Sequence, residues 1–517
     1  MRNKGAGRLM PDREKALTQI FCVICMVLFA VLFGFSLLLS WVNEEFWNEF
    51  VYVKEDNVLL NLLGIAAGLI LMGLSGFLCE KLPIHKRMDV IAAAAGVVCT
   101  AVSVYWIIAS KTEPQGDQAN IVSYAVAYKN GDTSSLLKGG YVGIHQQQLG
   151  LITFMRVLFL FFGQGNYKAY QYFSALMVFV IIFFGHKIIQ RISGNNLKAD
   201  IIYLLLMLCC IPMYGYTPFV YGEIPSTGMA LLAAWILLSV IDSFVWWKLP
   251  ALAAVCGAMV QLRQNTLIIA AAFIIVVLVK LIQRARKELF FTGLAVIAGI
   301  ALMQLGVTMI YKPFISEDTK STPAVLFIAM GTHDTIEGEP GWFDNYNEDL
   351  YSEAEYDYYT ASGLGWEEVE KFIDKCVSDP GYAIDFFTLK MNIQWNVPMY
   401  QCLVMNNSFY DEPYKFADDI YFNGNDKELE EFMNIYQLLV YGGVLCSLII
   451  MRKRWTSVEN WLLLISVYGG FLFSMMWEAK PRYVFPYFIL MIPYAAVGIA
   501  ELLDIYSRCN FFKQRYT

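Results

Sequence analysis

The sequence predicts an all-α polytopic membrane protein. Three observations predict it. The 517-residue chain is 57% hydrophobic and only 16% charged, where soluble domains average about 25% charged. Its mean hydropathy is +0.48. Its apolar residues fall in about 12 runs suited to crossing a bilayer. This composition excludes a disordered chain, a collagen and a small disulfide scaffold. A net charge of −7, with no dense basic stretch leading a recognition motif, argues against nucleic acid as a partner.

The first apolar run, 17–41, follows Arg2, Lys4, Arg8, Arg13 and Lys15. It is too long for a secretory apolar core and no small-residue cleavage site follows it. It therefore predicts a retained first span. Further spans are predicted over 57–79, 88–110, 167–192, 200–221, 224–243, 248–262, 264–282, 289–311, 434–451, 458–477 and 483–505. The run 149–162 is apolar but short and contains Arg156.

The positive-inside rule sets the direction. With the N-terminus in the cytoplasm, the inner loops hold Lys81, Lys86 and Arg87; Lys187, Arg191 and Lys198; Lys248; Lys280, Arg284, Arg286 and Lys287; Arg452, Lys453 and Arg454; and Arg508, Lys513 and Arg515. Counting 149–162 as a crossing would put two of these clusters outside. That run is therefore expected to be a juxtamembrane helix along the outer face. Both termini are then cytoplasmic, in a multi-pass protein of the plasma membrane.

Three parts follow. Residues 1–311 form an N-terminal transmembrane domain whose first outer loop, 111–166, carries the candidate chemistry. Residues 312–433 form an acidic extracytoplasmic segment expected to hold a small mixed structure. Residues 434–517 supply the C-terminal spans. Between Lys312 and Glu431 there are 25 Asp/Glu and 7 Lys, a net of −18, so the remainder of the −7 chain carries +11. Within the acidic segment, 366–376 has helical spacing. The region 312–360, rich in Gly, Pro, Asp and Tyr, reads as loop with short elements. Nine of the 11 Cys lie in or beside apolar runs, where thiols act as small hydrophobes. Cys376 and Cys402 lie in the acidic segment, and a disulfide between them is one option there.

Ionisable residues at the outer ends of spans converge on one face in this topology. Asp117 follows the third span, after Pro114 and Gly116, and 117–128 looks helical. Glu223 follows a stretch broken by two prolines and two glycines, suited to backbone bordering a cavity. Arg263-Gln264-Asn265 forms an outer turn. Glu478, Lys480, Arg482 and Tyr483 precede the last span. A carboxylate near several cations suits one reaction class. The carboxylate takes a proton from an acceptor hydroxyl, and the cations stabilise a phosphate leaving group. Each residue also has a plainer role open to it. Asp117 can cap its helix, Arg482 can anchor at headgroup level, Glu223 can favour a helix N-terminus, and Arg263 can be an exposed turn residue. No zinc, P-loop or dinucleotide motif is present. His85, His145, His186 and His333 lie far apart, so no metal site is indicated.

These segments together resemble the membrane-embedded GT-C glycosyltransferases, in the branch of the protein O-mannosyltransferases and the lipid A aminoarabinose transferase. Bacterial family-39-like members look closest. The resemblance lies in Gly116-Asp117-Gln118-Ala119, Gly131-Asp132 and Gly140-Tyr141. It continues in His145-Gln146-Gln147-Gln148-Leu149-Gly150, Tyr221-Gly222-Glu223-Ile224-Pro225, Gln261-Leu262-Arg263-Gln264-Asn265 and Pro481-Arg482-Tyr483. Six spans between the two large outer loops match as well. The resemblance covers roughly 110–311 and 474–505. There are two departures: two spans precede those of the family, and Gln118 stands where some members carry a second acid.

The resemblance implies a GT-C-like fold and an inverting transferase that takes its sugar from a polyprenyl phosphate, undecaprenyl phosphate in bacteria. The acceptor would be an extracytoplasmic glycan, lipid or protein of the cell envelope. Asp117 would be the catalytic base, and Arg482, Lys480 and Arg263 would hold the lipid phosphate. Glu223, the run His145, Gln146, Gln147 and Gln148, and Tyr483, Asn265 and Glu478 would contact sugar or acceptor. No cofactor is required; a divalent metal is compatible with the site but not indicated. Two other classes also fit the residues: a lipid or solute transporter, and an envelope assembly factor binding through the acidic segment.

Overall fold

The computed structural model describes residues 6–43, 48–335 and 339–516, with side chains over 14–43, 48–335 and 339–508. Arg2 and Lys4, and the side chains of Arg8, Arg13, Lys513 and Arg515, lie outside the described residues.

The protein is a helical, multi-pass membrane protein. Among the described residues, ten helices are long and apolar enough to cross a bilayer: Glu14–Leu38, Val58–Glu80, His85–Ser110, Lys168–Ser193, Glu223–Asp242, Gln264–Arg284, Lys287–Phe314, Asn425–Met451, Val458–Met476 and Pro481–Arg508. All ten coincide with expected spans. The other two expected spans are shorter. Lys248–Leu262 has 15 residues. The run 200–221 is broken into Leu197–Leu208, Ile211–Gly215 and a coil to Gly222. Asn196 caps the first piece through the backbone N–H of Lys198 and Ala199. Pro212, which lacks an N–H, can only open the second.

The coil 216–222 is buried, so its backbone needs partners. Side chains supply them. Gln171 donates to the Pro218 carbonyl at 2.9 Å and Tyr170 to the Tyr221 carbonyl at 2.8 Å, while Gln118 accepts from the Val220 N–H at 2.8 Å. Helices Asp117–Lys129 and Leu149–Phe162 form where the sequence predicts them.

Glycine sets the closest helix crossing. A Cβ on Gly498 of the last helix would collide with the Gly443 carbonyl of Asn425–Met451. Backbones approach this closely in membranes only through small residues.

The acidic segment is helical rather than mixed. Among the described residues it holds Ala324–Gly331, Tyr346–Glu353, Tyr358–Ser378, Pro380–Trp395 and Lys415–Phe422, with isolated bridges but no strand. The two-stranded sheet lies elsewhere, pairing Leu39–Val42 with Tyr52–Glu55 antiparallel between the first two spans. The segment also does not stand apart. Trp395, Tyr400, Cys402 and Met405 join the main apolar core with Tyr441, Phe485 and Phe488. Trp395 donates to Ser474 Oγ at 3.1 Å. Cys402 is buried there against Gly215, and Cys376 is a second free thiol, so the disulfide does not form.

At the other end of the bundle, basic residues assigned to inner loops meet acids. Lys280 pairs with Glu14 at 3.1 Å and with Glu459, and Arg191 pairs with Asp242 at 2.7 Å.

Candidate active site

Two neighbouring cavities open where the segment 111–166, the acidic segment and the last helix meet. One holds about 670 Å³ and the other about 400 Å³. Gln147, Gln148, Tyr221, Phe327, Glu478 and Tyr483 line both.

Asp117 is the first residue of helix Asp117–Lys129 and lines the larger cavity. Gly116, with φ of 51°, holds the cap position, so the Asp117 carboxylate does not cap the helix. Instead Oδ1 accepts from the Tyr141 hydroxyl at 2.6 Å, and Oδ2 lies 3.9 Å from Arg482 Nη2. The side chain is 40% exposed, open to an incoming group. Burial first, then the Asp117 charge, pushes the Tyr141 phenol well above its usual range, so it stays a neutral donor. Gln148 donates to Tyr141 Oη at 3.0 Å and to Tyr221 Oη at 3.3 Å, fixing both rings.

Arg482 and Lys480 stand on the same cavity. They are 8% and 5% exposed, buried rather than reaching for headgroups. The Arg482 guanidinium lies 5.9, 5.4 and 5.1 Å from the rings of Phe219, Tyr221 and Tyr483, in cation–π range. Its Nε is buried without a hydrogen-bond partner. Lys480 pairs with Glu49 and lies 5.0 Å from the Phe343 ring. Tyr483 donates to Glu478 Oε1 at 3.0 Å. Burial raises the Glu478 carboxyl above its usual range, with Lys480 and Arg482 opposing.

Arg263 lines the smaller cavity and lies 5.2 Å from the Tyr221 and Tyr483 rings, which it thus shares with Arg482. Glu223 does not take the expected place as a sugar contact. It is 1% exposed and borders neither cavity. One of its oxygens pairs with Arg263 at 3.0 Å and the other accepts from the Gly222 N–H at 2.9 Å. Its position at the base of a helix inside the bundle makes it the holder of Arg263.

His145 lines the larger cavity, with Nε2 3.1 Å from Glu348 and Nδ1 3.3 Å from Gln147. Gln146 and Asn265 line the smaller cavity. The Gln146 amide donates to the Gly143 carbonyl at 3.2 Å, and the Asn265 carbonyl accepts from Tyr487 at 3.2 Å. Gln118 is a structural staple, donating to the Met405 carbonyl at 3.0 Å while accepting from Val220. Among the described residues, no group of three or more His, Cys, Asp or Glu is arranged to hold a metal.

Gln148, expected as part of the His145–Gln148 run, lines both cavities. Sequence reasoning missed Tyr141, Glu348 and Glu49. Tyr141 stands inside a quoted motif, and an Asp followed at a distance by a Tyr carries no spacing rule to flag it. Glu49 and Glu348 arrive from remote segments. Comparison with family models, with curated proteins and with solved structures gives no match.

Proposed function

We propose that this protein is a GT-C type glycosyltransferase that moves a sugar from a polyprenyl phosphate to an extracytoplasmic acceptor. One observation carries the reading. The Asp117 carboxylate shares a cavity with Arg482 and Lys480, and its Oδ2, unclaimed by Tyr141, lies 3.9 Å from Arg482. In the reaction, Asp117 Oδ2 takes the proton of an acceptor hydroxyl. The acceptor oxygen forms a bond to the anomeric carbon as the carbon–oxygen bond to phosphate breaks. The electron pair leaves on the phosphate, where Arg482 and Lys480 oppose the developing charge. Attack opposite the leaving group inverts the anomeric centre. Arg263, its charge balanced by Glu223, offers guanidinium N–H donors to the smaller cavity. His145, Gln147, Glu478 and Tyr483 offer hydroxyl partners. The cavity end faces outward in this reading, with the basic cluster around Lys280 and Arg191 inside, as the positive-inside rule demands.

The test uses purified protein in detergent and a panel of radiolabelled undecaprenyl-phosphate hexoses, wild type beside Asp117→Asn. Sugar release by wild type and not by the variant supports donor class and base together. Solute or lipid movement by reconstituted protein, with no new glycosidic product, replaces this reading with a transporter.

A further inference from the structure

Glu49 belongs to the connection between the two strands and lines the larger cavity. Residues 48–51 there are fastened. The Asn43 amide donates to the carbonyls of Asn48 at 3.1 Å, Glu49 at 3.3 Å and Phe50 at 2.9 Å. The Val51 N–H donates to Glu339 at 3.2 Å, and Gln401 donates to the Glu49 carbonyl. The backbone thus presents the carboxylate to Lys480 from a segment remote in sequence.

The pair is asymmetric. The Lys480 side chain is 6% exposed and the Glu49 side chain 48% exposed. Among the described residues, Glu49 is the one carboxylate within ion-pair range of Lys480. Lys480 is enclosed by protein, whereas Glu49 is already half in water, so Glu49 can give way to another anion that takes over the buried charge of Lys480. Beside them, Arg482 Nε lacks a partner. An anionic group entering the cavity therefore meets Arg482, whose nearest carboxylate among the described residues, Asp117, stands 3.9 Å away, and Lys480, which Glu49 already neutralises.

We infer that Glu49 is a displaceable counter-charge on Lys480, which an incoming phosphate group must replace, so that the empty site refuses small free anions. The phosphodiester of a lipid-linked sugar carries one charge, like a carboxylate, but offers two free oxygens that can engage Lys480 and Arg482 together, and the phosphate monoester released on transfer carries about two charges. A phosphate wins the exchange only when the rest of its molecule adds binding energy, as a lipid-linked phosphate does and inorganic phosphate does not. Glu49 is then a specificity-determining residue. The inference rests on the anion-binding role proposed above for Lys480 and Arg482.

The experiment measures binding of dodecyl phosphate and of inorganic phosphate to the full chain in detergent, with sugar transfer assayed in parallel. The expected result is that Glu49→Gln binds dodecyl phosphate about tenfold tighter than wild type and gains measurable binding of inorganic phosphate. That gain disappears in the Lys480→Met background, and Glu49→Asp, which keeps the charge, stays near wild type. Unchanged or weaker binding by Glu49→Gln overturns the inference, with Glu49→Ala as the second variant should the first fail to fold. A gain that persists without Lys480 overturns it too. Tighter binding of dodecyl phosphate without any sugar transfer supports the counter-charge and removes the glycosyltransferase. No binding by wild type or variant overturns both.

Discussion

Tyr141 donates to one oxygen of Asp117 at 2.6 Å, while the other oxygen faces Arg482 at 3.9 Å. The phenol thereby fixes which oxygen is free to take a proton. In the proposed mechanism Asp117→Asn removes the base and is expected to lower kcat by about 10³-fold, within the range of general-base catalysis. Tyr141→Phe leaves the base but frees its rotation, and a drop of about tenfold in kcat with little change in KM is expected. Steady-state kinetics on both variants, with thermal unfolding as a control for folding, checks this. A Tyr141→Phe enzyme with wild-type kcat would show that the hydrogen bond does not position Asp117.

The Glu223–Arg263 pair is buried on both sides, with side chains 1% and 8% exposed. Removing one partner leaves the other charge uncompensated, which destabilises by about 3–5 kcal/mol. Glu223→Gln is therefore expected to lower the thermal midpoint sharply. Glu223→Gln combined with Arg263→Gln removes both charges and is expected to recover part of that loss. Equal midpoints for the single and double variants would show that the pair is not coupled. Glu223→Gln also separates holder from contact: a sugar contact would raise KM with the midpoint unchanged.

The sequence made the spans legible because a bilayer demands long apolar runs, and ten of them reappear at the expected places. The broken stretch before Glu223 was legible too, since Pro212, Gly215, Pro218 and Gly222 mark it. What stayed hidden depends on contacts between remote segments. The carboxyl end of the acidic segment carries Trp395, Tyr400 and Met405 into the helical core, and nothing in its acidic composition announces that. The sheet at Leu39–Val42 hides inside the tail of an apolar run. Asp117, Arg482, Lys480 and Tyr483 were legible as charges at span ends and line one cavity. Glu223 has the same signature and lies just outside it, because burial cannot be read from one residue type.

Gly498 tests the packing that carries Arg482 and Tyr483. The last helix crosses Asn425–Met451 at Gly443 and Gly498, and a methyl at Gly498 would strike a backbone carbonyl rather than a mobile side chain. The helices must separate to admit it. Gly498→Ala is expected to destabilise by about 1–3 kcal/mol, the range for overpacking, although alanine is otherwise the better helix former. Gly306, with open space around its would-be Cβ, is the control. Thermal unfolding of Gly498→Ala beside Gly306→Ala checks this, and equal midpoints would mean that the crossing tolerates a methyl group.

Lys390 gives the protein a pH dependence of known sign. Its side chain is fully buried in helix Pro380–Trp395 and donates to the Gly331 carbonyl at the end of Ala324–Gly331. Among the described residues, no carboxylate lies within ion-pair distance of it. Burial pushes its pKa down to about 7, with Glu478 opposing, whereas an unfolded lysine titrates near 10.4. Between these values the unfolded chain holds a proton that the folded chain has released. Stability from this group therefore rises with pH from about 7 toward 10, is lost as pH falls back through that interval, and is flat below about 7, where both states hold the proton; the slope is no more than about 1.4 kcal/mol per pH unit. The thermal midpoint of wild type is expected to rise between pH 7 and pH 9. Lys390→Met keeps the volume and removes the titration, so its midpoint should change less over the same interval and exceed that of wild type at the acid end. Parallel profiles for the two proteins would show that Lys390 keeps its charge in the folded state, balanced there by Glu478.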